Sequence, residues 1–355
     1  MKKLLPEFLR WRYELYLSEH VDLYGSLSFF VKYHWHNFVM KHVKKSKVIY
    51  MFANKGNVGD YISHLGVKHI VGLDGQLLFC TPIAISTIRS RLAKAPVDTH
   101  LVIGGGGLLQ PVFSPVWDAI LQSSLRYSVL GIGINYMEGR AQMPATEIEK
   151  IIQGATFCGV RDDFTEQEFT RHGCAPEKLA MSICPSINYF SPIFTSKTAR
   201  KPVLLHMIHP SDLRLAGAEE HVISSHLRTL ASEFNLEYQA HTNICANHEK
   251  PIRMIAQASL VVSSRLHGCI MSYGLQTRFL ALLCDNKMAA FLRSHTNKEG
   301  IDAASAMDID VLRKALNIKL SETENDSGII ATQLADNLAL GQKLRQTISQ
   351  TGQDA

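Results

Sequence analysis

What the chain lacks narrows it first. Its 355 residues hold no run approaching the ~18 apolar residues that a membrane-crossing helix needs, so no transmembrane span is expected. Lys2 and Lys3 open the chain, but Glu7, Arg10, Arg12 and Glu14 interrupt what would be a signal-peptide core. The seven cysteines (Cys80, Cys158, Cys174, Cys184, Cys245, Cys269 and Cys284) are odd in number and contain no Cys-x-x-Cys pair. Most sit in apolar runs, which reads as buried thiols in a reducing, cytoplasmic compartment rather than as a disulfide framework. Charge is sparse as well. Charged residues make up 19%, and Lys+Arg 37 against Asp+Glu 32 leaves +5 with no dense basic block. No nucleic-acid partner is expected; a small anionic ligand or an anionic membrane surface suits the balance better. There is neither a phosphate loop of the Gly-x-x-x-x-Gly-Lys type nor a Gly-x-Gly-x-x-Gly fingerprint, and no internal repeat or low-complexity tract.

What is present is a large apolar fraction, 46%, enough to bury a sizeable core and exclude wholesale disorder. Residues 1–45 carry 10 of the 29 aromatics, with Leu4, Phe8, Trp11 and Leu15 at helical spacing. This segment reads as a helical arm. It either packs on the main body or, helped by Trp35, Lys41, Lys44 and Lys45, lies at the inner face of the cell membrane as a peripheral anchor. From Lys47 onward short apolar runs alternate with helical stretches. Strands are predicted at Val48–Phe52, Leu77–Cys80, Leu101–Ile103, Val129–Ile134 and Phe157–Val160. The alternation breaks near Asn188–Pro202, which shows no helical or strand period, and restarts with Val203–His206, Leu236–Ala240, Leu260–Val262 and Phe279–Leu283. Such a pattern predicts an α/β protein of two tandem Rossmann-like domains, with a ligand cleft at the carboxyl ends of two mainly parallel sheets. The expected division is an arm over 1–45, a first domain over 46–190, a second over 200–310, and C-terminal helices over 311–355 that return across the first domain.

Four clusters at predicted strand ends carry polar or conformationally special residues. Asn54-Lys55-Gly56-Asn57-Val58-Gly59-Asp60 follows the first strand and leads into a helix expected from about Tyr61; Asp60 either caps that helix or stands in the cleft as a base or sugar-hydroxyl acceptor. Gly104 to Gly107 follow Leu101–Ile103, where four glycines in a row suit a loop held against a ligand or another backbone. Val160-Arg161-Asp162-Asp163 places an arginine just past a strand, either in the crevice or in a structural ion pair. The fourth cluster is the richest. Ser263-Ser264-Arg265-Leu266-His267-Gly268 brings two hydroxyls, a guanidinium and an imidazole to the start of a helix, an anion site with an acid/base group beside it. His206, His209, His241 and His248 have no acidic spacing that completes a metal site, and no metal is expected.

Taken together and in order, Asn57-Val58-Gly59-Asp60, Leu101 to Gly107, Val160-Arg161-Asp162 and Val261 to His267 resemble the polysaccharide pyruvyltransferases, over roughly residues 47 to 295. The resemblance implies a fold similar to the two-domain GT-B glycosyltransferases. It implies transfer of the enolpyruvyl unit of phosphoenolpyruvate onto two hydroxyls of a sugar or lipid-linked saccharide, giving a pyruvate ketal and phosphate without a cofactor. By similarity Arg161, Arg265, Leu266, Ser264 and Lys287 would bind the donor and His267 would stand at the reacting centre. Asp60 would take the acceptor proton, with Asn57, Gly59, Gly105 and Gly106 in the loops lining the cleft. One departure is Ile183-Cys184-Pro185-Ser186, where the family commonly shows an Asp-Pro-Ala turn. Two other readings stay open: a GT-B glycosyltransferase using a nucleotide sugar, and a non-catalytic module that binds phosphoenolpyruvate or an acidic sugar.

Overall fold

A computed structural model describes residues 46–53, 57–80, 85–134, 136, 141–194, 199–242, 244, 247–322 and 326–350. The aromatic arm at 1–45 and the start of the Asn54–Asp60 loop lie outside the described residues.

Two parallel sheets carry the fold. The first contains β1 (Val48–Phe52), β2 (Gln76–Phe79), β3 (His100–Leu109), β4 (Arg126–Ile134), β5 (Ala155–Val160) and β6 (Leu179–Met181), in the order β2-β1-β3-β4-β5-β6. The second contains β7 (Lys201–Met207), β8 (Glu237–His241), β9 (Ala258–Ser263), β10 (Phe279–Leu283) and β11 (Ile301–Asp302), in the order β11-β10-β9-β7-β8. Every residue of β1 is buried, as expected of a strand covered on both faces by crossover helices. In the first half the crossovers are α1 (Val58–Val71), α2 (Ile85–Lys94), α3 (Ser114–Leu121), α4 (Ala145–Gly154) and α5 (Asp163–Arg171), followed by α6 (Ser186–Phe194). In the second they are α7 (Pro210–Leu215), α8 (Glu220–Glu233), α9 (Glu249–Gln257), α10 (Leu266–Gly274) and α11 (Asn286–His295), followed by α12 (Ile309–Ser321) and α13 (Ser327–Gln350). The expectation of an α/β protein with two mainly parallel sheets holds.

Three local expectations are corrected. The first helix begins at Val58 rather than Tyr61, because Asn57 rather than Asp60 caps it: the Asn57 side chain accepts from Gly59 N at 3.0 Å. The four glycines are not a loop after a strand. β3 runs through them to Leu109, with positive φ at Gly105 and Gly106 and an irregular register against β4. A Cβ on Gly104 would lie 1.9 Å from Leu130 O, and one on Gly105 would lie 2.7 Å from His64 N of α1, so the close approach is of backbone to backbone. The stretch expected to be irregular near Asn188–Pro202 begins instead as helix α6, with Pro192 inside it. Buried Ile187 and Phe190 pack it into the second core, and this apolar face outweighs the proline.

Of the two C-terminal helices, α12 packs into the second core through Leu312 and Leu316, and α13 crosses to the first sheet. Leu340 and Leu344 of α13 join Val48, Tyr50, Val67 and Ile70 in a core on the outer face of the first sheet, and Arg345 Nε donates to Val71 O at 2.7 Å. The six cysteines among the described residues are all free and buried. No helix among those residues is long and apolar enough to cross a membrane.

Candidate active site

The carboxyl ends of the two sheets meet. Asn57, just past β1, forms an isolated antiparallel bridge with Ile244, which follows β8. Tyr136 N, past β4, donates to Asn286 Oδ1 of α11 at 2.8 Å, and His295 Nε2 of α11 donates to Arg161 O at 2.7 Å. At the centre of this seam stands His267. Its imidazole lies along one face of α1: Nδ1 and Cγ occupy the space over Gly59, where a Cβ would come within 2.2 Å of Nδ1, and Nε2 meets Ser63 Oγ at 3.0 Å one turn further on. The ring is enclosed yet keeps part of its surface accessible. Burial pushes its basicity well below the usual 6.5, and the Arg161, Lys287 and Arg265 cations push the same way. Loss of water is the larger of these effects.

The cations reach His267 from both halves of the chain. Arg161 follows β5 and is 4% exposed; its Nε and Nη1 find no hydrogen-bond partner among the described residues, with Asp162 Oδ2 in an ion pair 3.7 Å from Nε. The two oxygens of that carboxylate divide the work: Oδ1 caps α5 by accepting from Thr165 N at 2.8 Å and Thr165 Oγ1 at 2.6 Å, and Oδ2 faces Arg161. A Cβ on Gly133 would lie 2.5 Å from Arg161 Nε, so the guanidinium lies flat on the β4 backbone. Arg265, at the N-cap of α10, is 6% exposed and its Nε donates to Ile208 O at 2.6 Å. Lys287, in the first turn of α11, pairs with Asp285 at 2.7 Å. Leu266 opens α10 with its side chain in the second core.

Not every expected residue converges. Ser264 is turned into the second domain, where its hydroxyl accepts from His209 N at 2.8 Å and donates to Met207 O at 3.3 Å. Asp60 is half-buried beside Gly59 but leans toward β3, its Oδ1 filling the space over Gly106. The four histidines also disperse. His206 Nδ1 meets Tyr238 Oη at 3.1 Å, His209 accepts from Asp212 N, and His248 Nε2 meets Tyr189 Oη at 2.9 Å. Burial holds His241 down to about 4. Among the described residues no three His, Cys, Asp or Glu side chains gather as metal ligands.

Two neighbours of His267 were not foreseen in these roles. Ser63 has the spacing to be found, since Gly59, Ser63 and Gly66 stand at i, i+4 and i+7 on one face of α1. Along that face small residues let His267, Cys184 and the backbone of Pro185 approach; a Cβ on Gly66 would come within 1.9 Å of Pro185 O. Cys184 Sγ lies 3.2 Å from Ser63 Oγ and also 3.2 Å from Ser186 Oγ. No pattern in the sequence joins Cys184 to Ser63, 121 residues away.

Two parallel sheets with opposed carboxyl ends and a C-terminal helix crossing back define a GT-B-like fold. The UDP-GlcNAc 2-epimerase of Methanocaldococcus jannaschii, solved with UDP-GlcNAc and UDP, shares it with a TM-score of 0.55 and 9% identity, over 78% of this chain and 93% of that one. S. aureus MnaA, solved with UDP, gives 0.54 and 9% over 81% and 90%, and the Neisseria meningitidis UDP-GlcNAc 2-epimerase bound to UDP-GlcNAc gives 0.50 and 9% over 82% and 100%. These likenesses concern the fold. No curated protein shows significant similarity. The family model for polysaccharide pyruvyl transferase matches residues 30–286, and the chain belongs to that family, which makes it a transferase.

Proposed function

We propose that the protein moves the enolpyruvyl unit of phosphoenolpyruvate onto two hydroxyls of a sugar in a cell-surface glycan, forming a pyruvate ketal and releasing phosphate. The observation that carries this reading is the charge around His267. Three cations crowd one neutral imidazole, and Arg161 among them is buried with two donor nitrogens unsatisfied. Buried donors without partners are costly, so the cluster calls for a small, multiply charged anion. Phosphoenolpyruvate carries a phosphate and a carboxylate, each able to take a forked guanidinium.

The chemistry then follows from proton positions. The methylene carbon of the donor takes a proton, leaving an electron-poor carbon that one sugar hydroxyl attacks. The second hydroxyl attacks the same carbon as the C–O bond to phosphate breaks. Of the two hydroxyl protons, one replaces the proton delivered to carbon and the other leaves with phosphate. His267 is the candidate acid. In the free protein its surroundings keep it neutral, and the bound anion offsets the three cations and lets the ring charge when the proton is needed. Asp60, beside Gly59, is the candidate acceptor of a sugar hydroxyl proton. Leu266 N and His267 N, in the first turn of α10 beside Arg265, are helix-terminal donors available to the same anion. An acceptor carried on a lipid would suit the aromatic arm at 1–45.

Incubation with phosphoenolpyruvate and hexose glycosides tests the reading. The expected result is phosphate release matched by a ketal methyl signal that gains deuterium in deuterated water. UDP release from a UDP-sugar under the same conditions, with no phosphate from phosphoenolpyruvate, would replace this reading with a glycosyltransferase.

A further inference from the structure

We propose that Ser63, backed by Cys184 and Ser186, is a positioning residue that holds His267 as the neutral tautomer with its proton on Nδ1 and a bare, accepting Nε2. The inference rests on the reading that His267 acts on the donor.

The direction of a hydrogen-bond chain supplies the argument. Ser186 Oγ donates to Cys184 Sγ at 3.2 Å, which leaves the thiol proton to be given onward. The next oxygen is Ser63 Oγ, 3.2 Å from the same sulfur and fully buried. With the thiol donating to it, Ser63 turns its own proton to His267 Nε2 at 3.0 Å. The donors then run one way, from Ser186 through Cys184 and Ser63 to the ring. The opposite polarity would aim two hydroxyl donors at one sulfur, a weak acceptor, and would strand the thiol proton in a buried site. Turning the ring over would present a carbon to Ser63 Oγ and forfeit the 3.0 Å bond. Burial and the Arg161, Lys287 and Arg265 cations favour the neutral ring that this chain requires.

The arrangement conditions the acid. Charging His267 puts a second proton on Nε2, so the Ser63 hydroxyl has to turn round and donate to sulfur. That step is unfavourable until a bound anion offsets the cations. Ser63 therefore acts through His267 and touches no reacting atom.

The test reads the tautomer directly, in the ligand-free full chain labelled with 15N-histidine, with His267 assigned by the signal lost in His267→Gln. Wild type should show a protonated, pyrrole-type Nδ1 and a pyridine-type Nε2 at neutral pH. Ser63→Ala should shift the ring toward protonation on Nε2, and Cys184→Ala should do so less strongly. Turnover of phosphoenolpyruvate by Ser63→Ala should fall by roughly tenfold to a hundredfold, the scale of lost orienting partners, with donor KM little changed. An Nε2-protonated ring in wild type, or an unchanged tautomer in a folded Ser63→Ala, overturns the proposal. If the tautomers behave as stated while wild type leaves phosphoenolpyruvate untouched, the positioning role stands and the proposed reaction falls.

Discussion

Arg161 and Arg265 stand at matching strand-to-helix turns, one after β5 of the first sheet and one after β9 of the second, and they are prepared very differently. Arg265 is tied to the fold: its Nε already donates to the Ile208 carbonyl at 2.6 Å. Arg161 is just as buried, but its Nε and Nη1 have no hydrogen-bond partner among the described residues, and Asp162 answers it only with Oδ2 at 3.7 Å while Oδ1 caps α5. The contrast teaches where recognition energy resides. A pre-bonded arginine is held in place before any ligand arrives and loses little freedom on binding. An unsatisfied one has already lost its water on folding, so an anion that satisfies it gains the full strength of the new bonds.

The largest effect should come from the group both arginines attend. His267→Gln keeps a hydrogen-bonding side chain, so phosphoenolpyruvate binding should largely survive while turnover drops by roughly 100- to 10,000-fold. Calorimetry beside phosphate release checks this; equal losses of binding and turnover would make His267 a ligand contact, and Lys287 the next candidate acid.

Acid should weaken both halves through their buried neutral histidines. Burial holds His64 down to about 3 and His100 to about 4 in the first half, and His206 to about 3 and His241 to about 4 in the second. The unfolded chain takes up these protons near the usual imidazole value of about 6.5 while the folded one refuses them, so stability is full above that value and is lost as pH falls toward 4. Each group contributes at most about 1.4 kcal/mol per pH unit. Thermal melts from about pH 7 to about pH 4 measure it. His64→Phe, which keeps the stack on Phe52 (centroids 4.4 Å apart), should flatten the curve.

The arginine contrast itself is broken most cleanly by methionine, which keeps the length of the stem and drops the fork. Arg161→Met removes unsatisfied donors but also takes the cation from buried Asp162, two effects of opposite sign, so the stability of the ligand-free protein should change little. Arg265→Met strands the Ile208 carbonyl with no such offset and should cost about 1–3 kcal/mol by thermal melt. Added phosphoenolpyruvate should stabilise wild type and neither variant. Equal losses in both would mean that the two turns are energetically alike.

The smallest effect belongs to the rim of the same seam. Arg293 grips Asp163 with two bonds of 2.6 and 2.7 Å, joining α11 to α5, but its side chain is 58% exposed. Arg293→Ala should cost no more than about 1 kcal/mol by thermal melt, and less at high salt.

Much of this layout was legible because it follows from alternation. Strands predicted to end at Val160 and Val262 set Arg161 and Arg265 just beyond strand ends, where the structure has them. What escaped was contact between parts distant in sequence. Gly59 was placed in a loop lining the cleft, whereas it stands in the first turn of α1 and its missing side chain makes room for the imidazole of His267. Ser63 showed only helical spacing, and Cys184 only a departure from a pattern. The glycine run misled for a related reason: its conformational freedom suggested a loop, and its lack of side chains served a strand crowded by Leu130 and α1. The stretch from Asn188 showed no period because the burial of Ile187 and Phe190, which holds α6 in place, is a contact with distant parts of the chain.

The return of α13 across the first sheet also orders events in time. Val48 and Tyr50 emerge early in synthesis, yet the core they share with Leu340 and Leu344 has no closing face until nearly three hundred more residues have been made. The first half must therefore wait, partly uncovered, beside a second half able to assemble its own sheet. Contacts of such sequence separation are slow to form, and a half-covered apolar face is prone to association. A ribosome stalled before α13 would hold a chain whose outer core around Val48 and Tyr50 is still wet, and a chaperone that shields apolar surface would find its client there.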